Sequence, residues 1–185
     1  MGFKEKEFKT AAKKEISKCR TGDWNHALRV VSWVKKLGKN RENLHLIIAA
    51  AYVHDIGWKG IVSKEKISIE KLKSLEDKSN GNSEILVKKF LKKFNFSKKD
   101  TGIIIRLIKA ADRHESNEED EKIIVDADNL SKLSIEHIVE KYSKKELEKM
   151  YWFFKKFVPK RVKTLKGKEM VPILLEKLKN QIMPG

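Results

Sequence analysis

The chain has 185 residues, and its 42 Lys and Arg against 26 Asp and Glu give a formal net charge of +16. This length suffices for one well-buried core but not for two ordinary domains, so we predict a single domain over residues 1–185. No apolar run is long enough to span a membrane and the N-terminal residues lack a secretory signal pattern, which excludes a membrane protein and favours a cytoplasmic one.

Apolar residues recur at helical spacing along the chain without a convincing strand pair, which predicts an all-α fold. Asp23 is the expected N-cap of the second helix, and the helix over 41–54 has almost no polar face, so it should be the central buried one. The dipeptide Asn80-Gly81 and its neighbours predict a break between two short helices. The predicted helices span about 4–18, 23–38, 41–54, 67–75, 83–94, 97–114, 122–130, 135–142, 145–157 and 171–178.

The first candidate for chemistry is the pair His54-Asp55, at the C-terminal end of the most apolar predicted helix. An ionisable pair in a buried place needs something to offset its desolvation, and a metal ion would do so. Gly57 would let the chain turn so that both side chains reach one cation. The alternative is a capping arrangement in which the imidazole interacts with the last carbonyls of the helix.

Two further segments place polar side chains on apolar helix faces. Asp23, His26 and Arg29 fall on one side of the second helix, where a buried arginine would need an anion such as phosphate. The other segment holds two carboxylates, Asp126 and Asp128, and their i, i+2 spacing lets only one of them point at a shared cation. Periodicity leaves open which of the two it is.

The stretches DWNHALRV, AAAYVHDIG and IVDADNL occur in this order and together resemble the HD-domain superfamily of metal-dependent phosphohydrolases, whose pattern is H…HD…D. The resemblance spans 23–133 and leaves 134–182 as C-terminal helices of the same HD-type domain. It implies an all-helical fold and a metal site. The implied metal ligands are His26, His54, Asp55 and Asp128.

The resemblance also implies a chemistry, in which a metal-activated water attacks phosphorus and Asp55 holds that water. Two imidazoles and two carboxylates suit one divalent transition metal, Mn, Fe, Co, Ni or Zn, with Mg as an alternative. Members with two metals often carry a further histidine where this chain has 79–83, so we expect a single ion. The Glu-Asp pair that would follow Asp55 in hydrolases of guanosine alarmone nucleotides is missing.

Other residues are expected around this site. Arg29 is the favoured phosphate-binding residue and Lys59 a second one, while His114 either contacts the substrate or is an exposed histidine at a helix end. Asp23 and Asp126 are expected to support the ligands, with Asp126 as a competing ligand. The basic stretch 161–169 would form either a flap over the site or a solvated loop, and we favour the loop. We interpret His45 and His137 as structural or surface residues.

The predicted function is hydrolysis of a nucleotide or another small phosphorylated metabolite. The alternative is a non-catalytic HD-type module that binds a nucleotide or RNA as a regulator. The large positive charge comes mostly from lysines, many in doublets on wet helix faces, which is typical of a solvated surface. Nucleic acid is therefore a less favoured partner than a small phosphorylated substrate.

Overall fold

The structure is a computed structural model that describes residues 3–62, 66 and 68–183. This part of the chain forms α-helices and short 3₁₀ turns and contains no strand, which confirms the all-α prediction. Ile67, where one predicted helix begins, lies outside the described residues. The helices are α1 Glu5–Ile16, α2 Asp23–Leu37, α3 Leu44–Val53, α4 Ile69–Leu91, α5 Lys98–Arg113, α6 Glu119–Ser131, α7 Ile135–Lys141, α8 Leu147–Arg161 and α9 Leu165–Ile182.

Helix α3 is the central helix, as its sequence predicts. Every residue from Leu46 to Val53 is buried, so the helix has neighbours on all sides. It runs into a short 3₁₀ turn over His54–Trp58, which tightens the chain where the metal-binding pair begins. No helix in the described part of the chain is both long enough and apolar enough to cross a membrane.

The predicted break at residues 79–81 is wrong, because α4 continues through it without interruption. Ser79 and Ser83 are buried, and Asn82 donates a hydrogen bond from Nδ2 to the carbonyl oxygen of Gly57 at 3.3 Å. The small polar residues thus let α4 pack closely against the 3₁₀ turn. What resembles a break in the sequence is a close contact between two backbones.

Several helix ends also differ from the sequence prediction. Asp23 is the first residue of α2, and Gly22 is its N-cap in a left-handed conformation. The acidic run before residue 122 is the first turn of α6, because Glu118 and Glu121 form a capping box and negative charge is favourable at a helix N-terminus. Helix α9 begins already at Leu165, where the hydroxyl of Thr164 accepts a hydrogen bond from the backbone of α9.

Two groups of buried apolar side chains hold the helices together, and α6 belongs to both. Helices α1 to α6 supply most of the first group, and α6 to α9 together with Ile69 of α4 supply most of the second. All residues of α6 from Ile123 to Ser131 are buried, including the carboxylates Asp126 and Asp128. The candidate site lies where the two groups meet, because its walls contain members of both.

We predict opposite effects for two glycine-to-alanine changes at the contact between α4 and the 3₁₀ turn. A Cβ on Gly57 would collide with the carbonyl oxygen of Ser79, whereas a Cβ on Gly81 meets nothing within 4 Å. We expect Gly57→Ala to lower the free energy of unfolding by about 1–3 kcal/mol. Gly81→Ala should raise it by about 0.5–1 kcal/mol, because alanine is the better helix former. Urea denaturation measures both, and equal effects would contradict the proposed packing.

Candidate metal site

The predicted ligands from three separate segments meet inside the protein. His26 lies on α2, His54 and Asp55 lie in the 3₁₀ turn, and Asp128 lies on α6. The two Nε2 atoms are 3.1 Å apart, and Oδ1 of Asp128 is 3.1 Å from Nε2 of His26. These three residues are buried, and their ligand atoms all lie within 4.8 Å of one another. Oδ2 of Asp55 follows at 3.7 Å from His54 and 3.9 Å from His26.

The outer ring nitrogens of both histidines are already bonded. Nδ1 of His54 lies 2.9 Å from the carbonyl oxygen of Ala51, which can only accept, so this nitrogen carries the proton. The hydroxyl of Ser131 donates to the Asp128 carbonyl oxygen at 2.8 Å, so it must accept from Nδ1 of His26 at 3.0 Å. Burial lowers the pKa of His26 to about 3, which keeps the ring neutral. These contacts leave the Nε2 atom of each ring directed at the centre, as in a metal-binding imidazole.

The carboxylates beside this centre are ionised, and each is paired with one or two cations. Asp55 accepts from Arg20 at 2.9 Å and from Lys141 at 3.4 Å, and Asp128 accepts from Lys132 at 2.5 Å. Burial opposes ionisation, but these cations hold the pKa of both carboxyl groups well below its usual range. Two imidazole nitrogens and two carboxylate oxygens thus lie close together, with those of His26, His54 and Asp128 within 4.8 Å of one another, and a divalent cation fits this donor set.

Asp23 lies behind the site, in the supporting position expected for it. It is buried and pairs with Arg20 at 3.1 Å and with Lys141 at 2.5 Å, and both cations also contact Asp55. The guanidinium of Arg20 lies 4.0 Å above the ring of Trp58, which fixes it further. Asp23 therefore positions Asp55 through two shared cations.

The centre opens into a cavity of about 160 Å³. Pockets for drug-sized ligands are usually about 300–1,000 Å³, so this volume suits the phosphorylated end of a substrate. The cavity has a charged end, formed by the metal-ligand residues and their cations. The rest of its lining mixes polar and apolar side chains, and the apolar ones include Ile69, Leu72, Met150, Phe153 and Phe154.

The two basic residues expected to bind phosphate do not line this cavity. Arg29 pairs with Glu140 at 2.8 Å, and Lys59 pairs with Glu15 at 2.6 Å. Each charge is thus neutralised by a carboxylate outside the cavity. Placing Arg29 one turn beyond His26 on the helix was correct, but the side chain follows its acidic partner on α7 instead of the site.

Asp126 points away from the metal ligands, so the structure corrects its expected role. Its carboxylate accepts hydrogen bonds from the backbone nitrogens of Lys163 and Thr164, both at 2.8 Å, and from the Thr164 hydroxyl at 2.6 Å. It thereby fastens the junction between α8 and α9 to α6. Of the two aspartates on α6, only Asp128 belongs to the cluster of ligand atoms at the centre, which favours it as the ligand.

Two other histidines line the cavity. His114 follows α5 in a left-handed conformation, and its Nδ1 lies 3.7 Å from Oδ2 of Asp128 without a hydrogen-bond partner. Its contact with the substrate stays a prediction. His137, interpreted from the sequence as structural or surface, is buried with its ring 4.8 Å from that of His26. His45 is exposed, as expected for a surface residue.

Most of the cavity's charged groups lie outside the three sequence motifs. Lys132 follows Asp128 by one helical turn, and this spacing was a usable signal. Arg20 and Lys141 are too distant in sequence from the motifs to be found that way. Arg161 falls in the stretch considered as a flap or a loop, but it is the last residue of α8 and lines the cavity.

Asp112, near the end of α5, is the cavity's uncharged carboxyl group. Burial raises its pKa to about 8, and the negative charges of Asp55 and Asp128 add to the effect. Unlike those two residues, it has no cation paired with it in the described part of the chain. Asp112 therefore holds a proton at neutral pH in the metal-free protein.

We predict a stability change with pH that depends on Asp112. Between its ordinary pKa of 3.8 and about 8, the folded protein keeps a proton that the unfolded chain releases. Stability from this group is therefore lost as pH rises through that window. Between about pH 5 and about pH 8, the free energy of unfolding of metal-free Asp112→Asn should rise by more than about 1 kcal/mol relative to that of the wild type. Urea unfolding with a chelator measures it; the same gain in Asp77→Asn, an exposed control, would contradict the assignment.

The comparisons with known proteins agree with this geometry. A family model described as HD domain matches residues 23–133, which is more than half of the chain and contains all four residues at the centre. Neither the comparison with curated proteins nor the comparison with solved structures gives a match. The match confirms the resemblance carried by the three sequence motifs, and the chain therefore belongs to the HD domain family.

Proposed function

We propose that this protein is a metal-dependent phosphohydrolase that acts on a nucleotide or another small phosphorylated metabolite. One observation carries the proposal. His26, His54 and Asp128 bring their ligand atoms within 4.8 Å of one another at a buried point, and Asp55 adds an oxygen beside both histidines. That point opens into a cavity with a charged end. A purely structural role would not need buried donors that face one another without a hydrogen between them.

The donor set favours one divalent transition metal, because two imidazole nitrogens and two carboxylate oxygens suit Mn, Fe, Co, Ni or Zn, with Mg as an alternative. When bound, the ion would supply Lewis-acid activation of the phosphoryl group and of an attacking water. The protein's own contribution is to fix the ligands. Ala51 and Ser131 orient the two imidazoles, and Arg20 with Lys141 orients Asp55.

Two carboxyl groups have distinct tasks in the proposed reaction. Asp55 is ionised, and it can accept a hydrogen bond from the attacking water and align it with the phosphorus. Asp112 lines the same cavity and is the candidate to donate a proton to the leaving oxygen. In the metal-free protein, burial and the neighbouring charges keep the two groups in opposite protonation states.

The walls of the cavity support the proposed substrate class. The charged end suits a phosphate, and the aromatic and aliphatic side chains opposite suit a planar or apolar group such as a nucleoside. A small substrate explains the basic cavity without a nucleic-acid surface. We therefore propose a small phosphorylated molecule as the partner and leave RNA binding to the alternative function.

The test is the metal content of the purified protein by elemental analysis, followed by phosphate release from a panel of nucleotides with added Mn, Co, Ni or Mg. We expect near-stoichiometric metal in the wild type. His54→Ala and Asp128→Ala should lose the metal and turnover together, because each removes one of four ligands. Asp126→Ala is the matched control: it lies on the same helix and should keep the metal, since its carboxylate binds the α8–α9 junction.

Other outcomes would point elsewhere. Metal lost in Asp126→Ala but kept in Asp128→Ala would reverse the ligand assignment. Tight nucleotide binding without turnover in any of the metals would favour the non-catalytic module. A wild-type protein that takes up no metal, even after reconstitution, would contradict the enzyme.

A further inference from the structure

The cations of the cavity differ in whether a carboxylate already neutralises them. Five basic side chains and four carboxyl groups line the cavity, and a divalent ion would add two positive charges. Arg20, Lys132 and Lys141 are each in ion pairs with aspartates at the site. Their charges hold the ligands in place and are not free for a substrate. Lys73 and Arg161 are the two others, and Lys73 is exposed.

Arg161 is half-buried and lacks an ion-pair partner among the described residues. Its guanidinium makes a cation–π contact with the ring of Phe157, whose centroid lies 5.5 Å from the guanidinium carbon. Burial lowers the pKa of Arg161, and Asp128 and Glu76 are near enough to act on it in the opposite direction. A guanidinium that is partly desolvated and unpaired is costly unless an anion comes to it. The wall of the cavity thus presents a donor group prepared for a ligand.

The position of Arg161 is fixed by the same helix that holds the metal ligand. Arg161 ends α8, and Asp126 binds the backbone of the two residues at 163 and 164, just beyond it. Val162, between them, is buried in the second apolar group. Asp128 lies two residues after Asp126 on α6 and faces the metal centre. Helix α6 therefore sets Arg161 and the metal centre relative to each other.

We infer that Arg161 binds the non-bridging phosphate oxygens of the substrate and makes the site selective for phosphate monoesters over diesters; this inference rests on the proposed function. A guanidinium donates two parallel hydrogen bonds to a phosphate, which a lysine cannot do. A monoester near neutral pH carries up to two negative charges and has three free oxygens, enough for the metal ion and for Arg161. A diester carries one charge and has one free oxygen fewer.

The experiment compares Arg161→Ala and Arg161→Lys with the wild type, using p-nitrophenyl phosphate as monoester and bis(p-nitrophenyl) phosphate as diester. Arg161→Ala should lower kcat/KM for the monoester about 10- to 100-fold, and for the diester by a smaller factor. Calorimetry of the metal-loaded proteins should show inorganic phosphate binding weakened by a similar factor. Arg161→Lys should recover part of the loss, because it keeps the charge but not the planar fork.

Arg41→Ala is the matched control, since it removes one arginine outside the cavity, where Arg41 pairs with Glu119. Metal content and thermal unfolding of all variants separate loss of folding from loss of binding. If Arg161→Ala binds phosphate as tightly as the wild type does, or if its kcat/KM falls by the same factor for both esters, the inference is wrong and the proposed function stands. If the metal-loaded wild type hydrolyses neither these esters nor any member of the nucleotide panel, the proposed function fails, and phosphate binding still tests Arg161. No phosphate binding by the wild type would overturn both.

Discussion

The structure depends on a cluster of lone pairs that repel one another. Two imidazole nitrogens and two carboxylate oxygens face one buried point, and the protons that would join them are held elsewhere by a backbone carbonyl and a serine hydroxyl. Such an arrangement is unfavourable in the folded chain alone, so the rest of the molecule must enforce it. The ion pairs behind the carboxylates offset part of the cost, and a cation at the centre would offset the remainder. Folding and metal binding are therefore expected to be coupled, because a ligand that binds only the native state stabilises it.

Helix packing holds this cluster in place. The His-Asp pair follows a helix that is buried on all sides, so it cannot move without disturbing the first apolar group. Helix α4 fixes the turn after it through close contact of its Ser79 backbone with Gly57, where any side chain would collide. Helix α6 completes the site and belongs to both apolar groups. The ligands thus come from segments that are distant in sequence but rigid in space, which is how a site keeps its geometry before a substrate arrives.

The sequence predicted much of the fold and the metal centre, for identifiable reasons. The helical periodicity and the uniformly apolar α3 are local signals, and the three motifs together indicated the family. The charged residues around the centre were harder to predict from the sequence. Arg29 lies on the expected helix, but its direction is decided by Glu140, which is 111 residues away in the chain. The break predicted in α4 failed because small polar residues mark either a turn or a close contact. The roles of Asp126 and Asp128 could be told apart only from the structure, which shows the hydrogen-bond partners of Asp126 at the α8–α9 junction.

The residues that line the cavity come from two parts of the chain. All four residues at the centre lie within the segment that matches the family, 23–133. Three of the five cations lining the cavity are also in or next to that segment, but Lys141 and Arg161 come from the later helices. The apolar wall formed by Met150, Phe153 and Phe154 also comes from them. Substitutions in α7 and α8 would therefore alter the walls of the cavity without replacing any of the four residues at its centre, so the shape of the cavity and the composition of the centre can change independently.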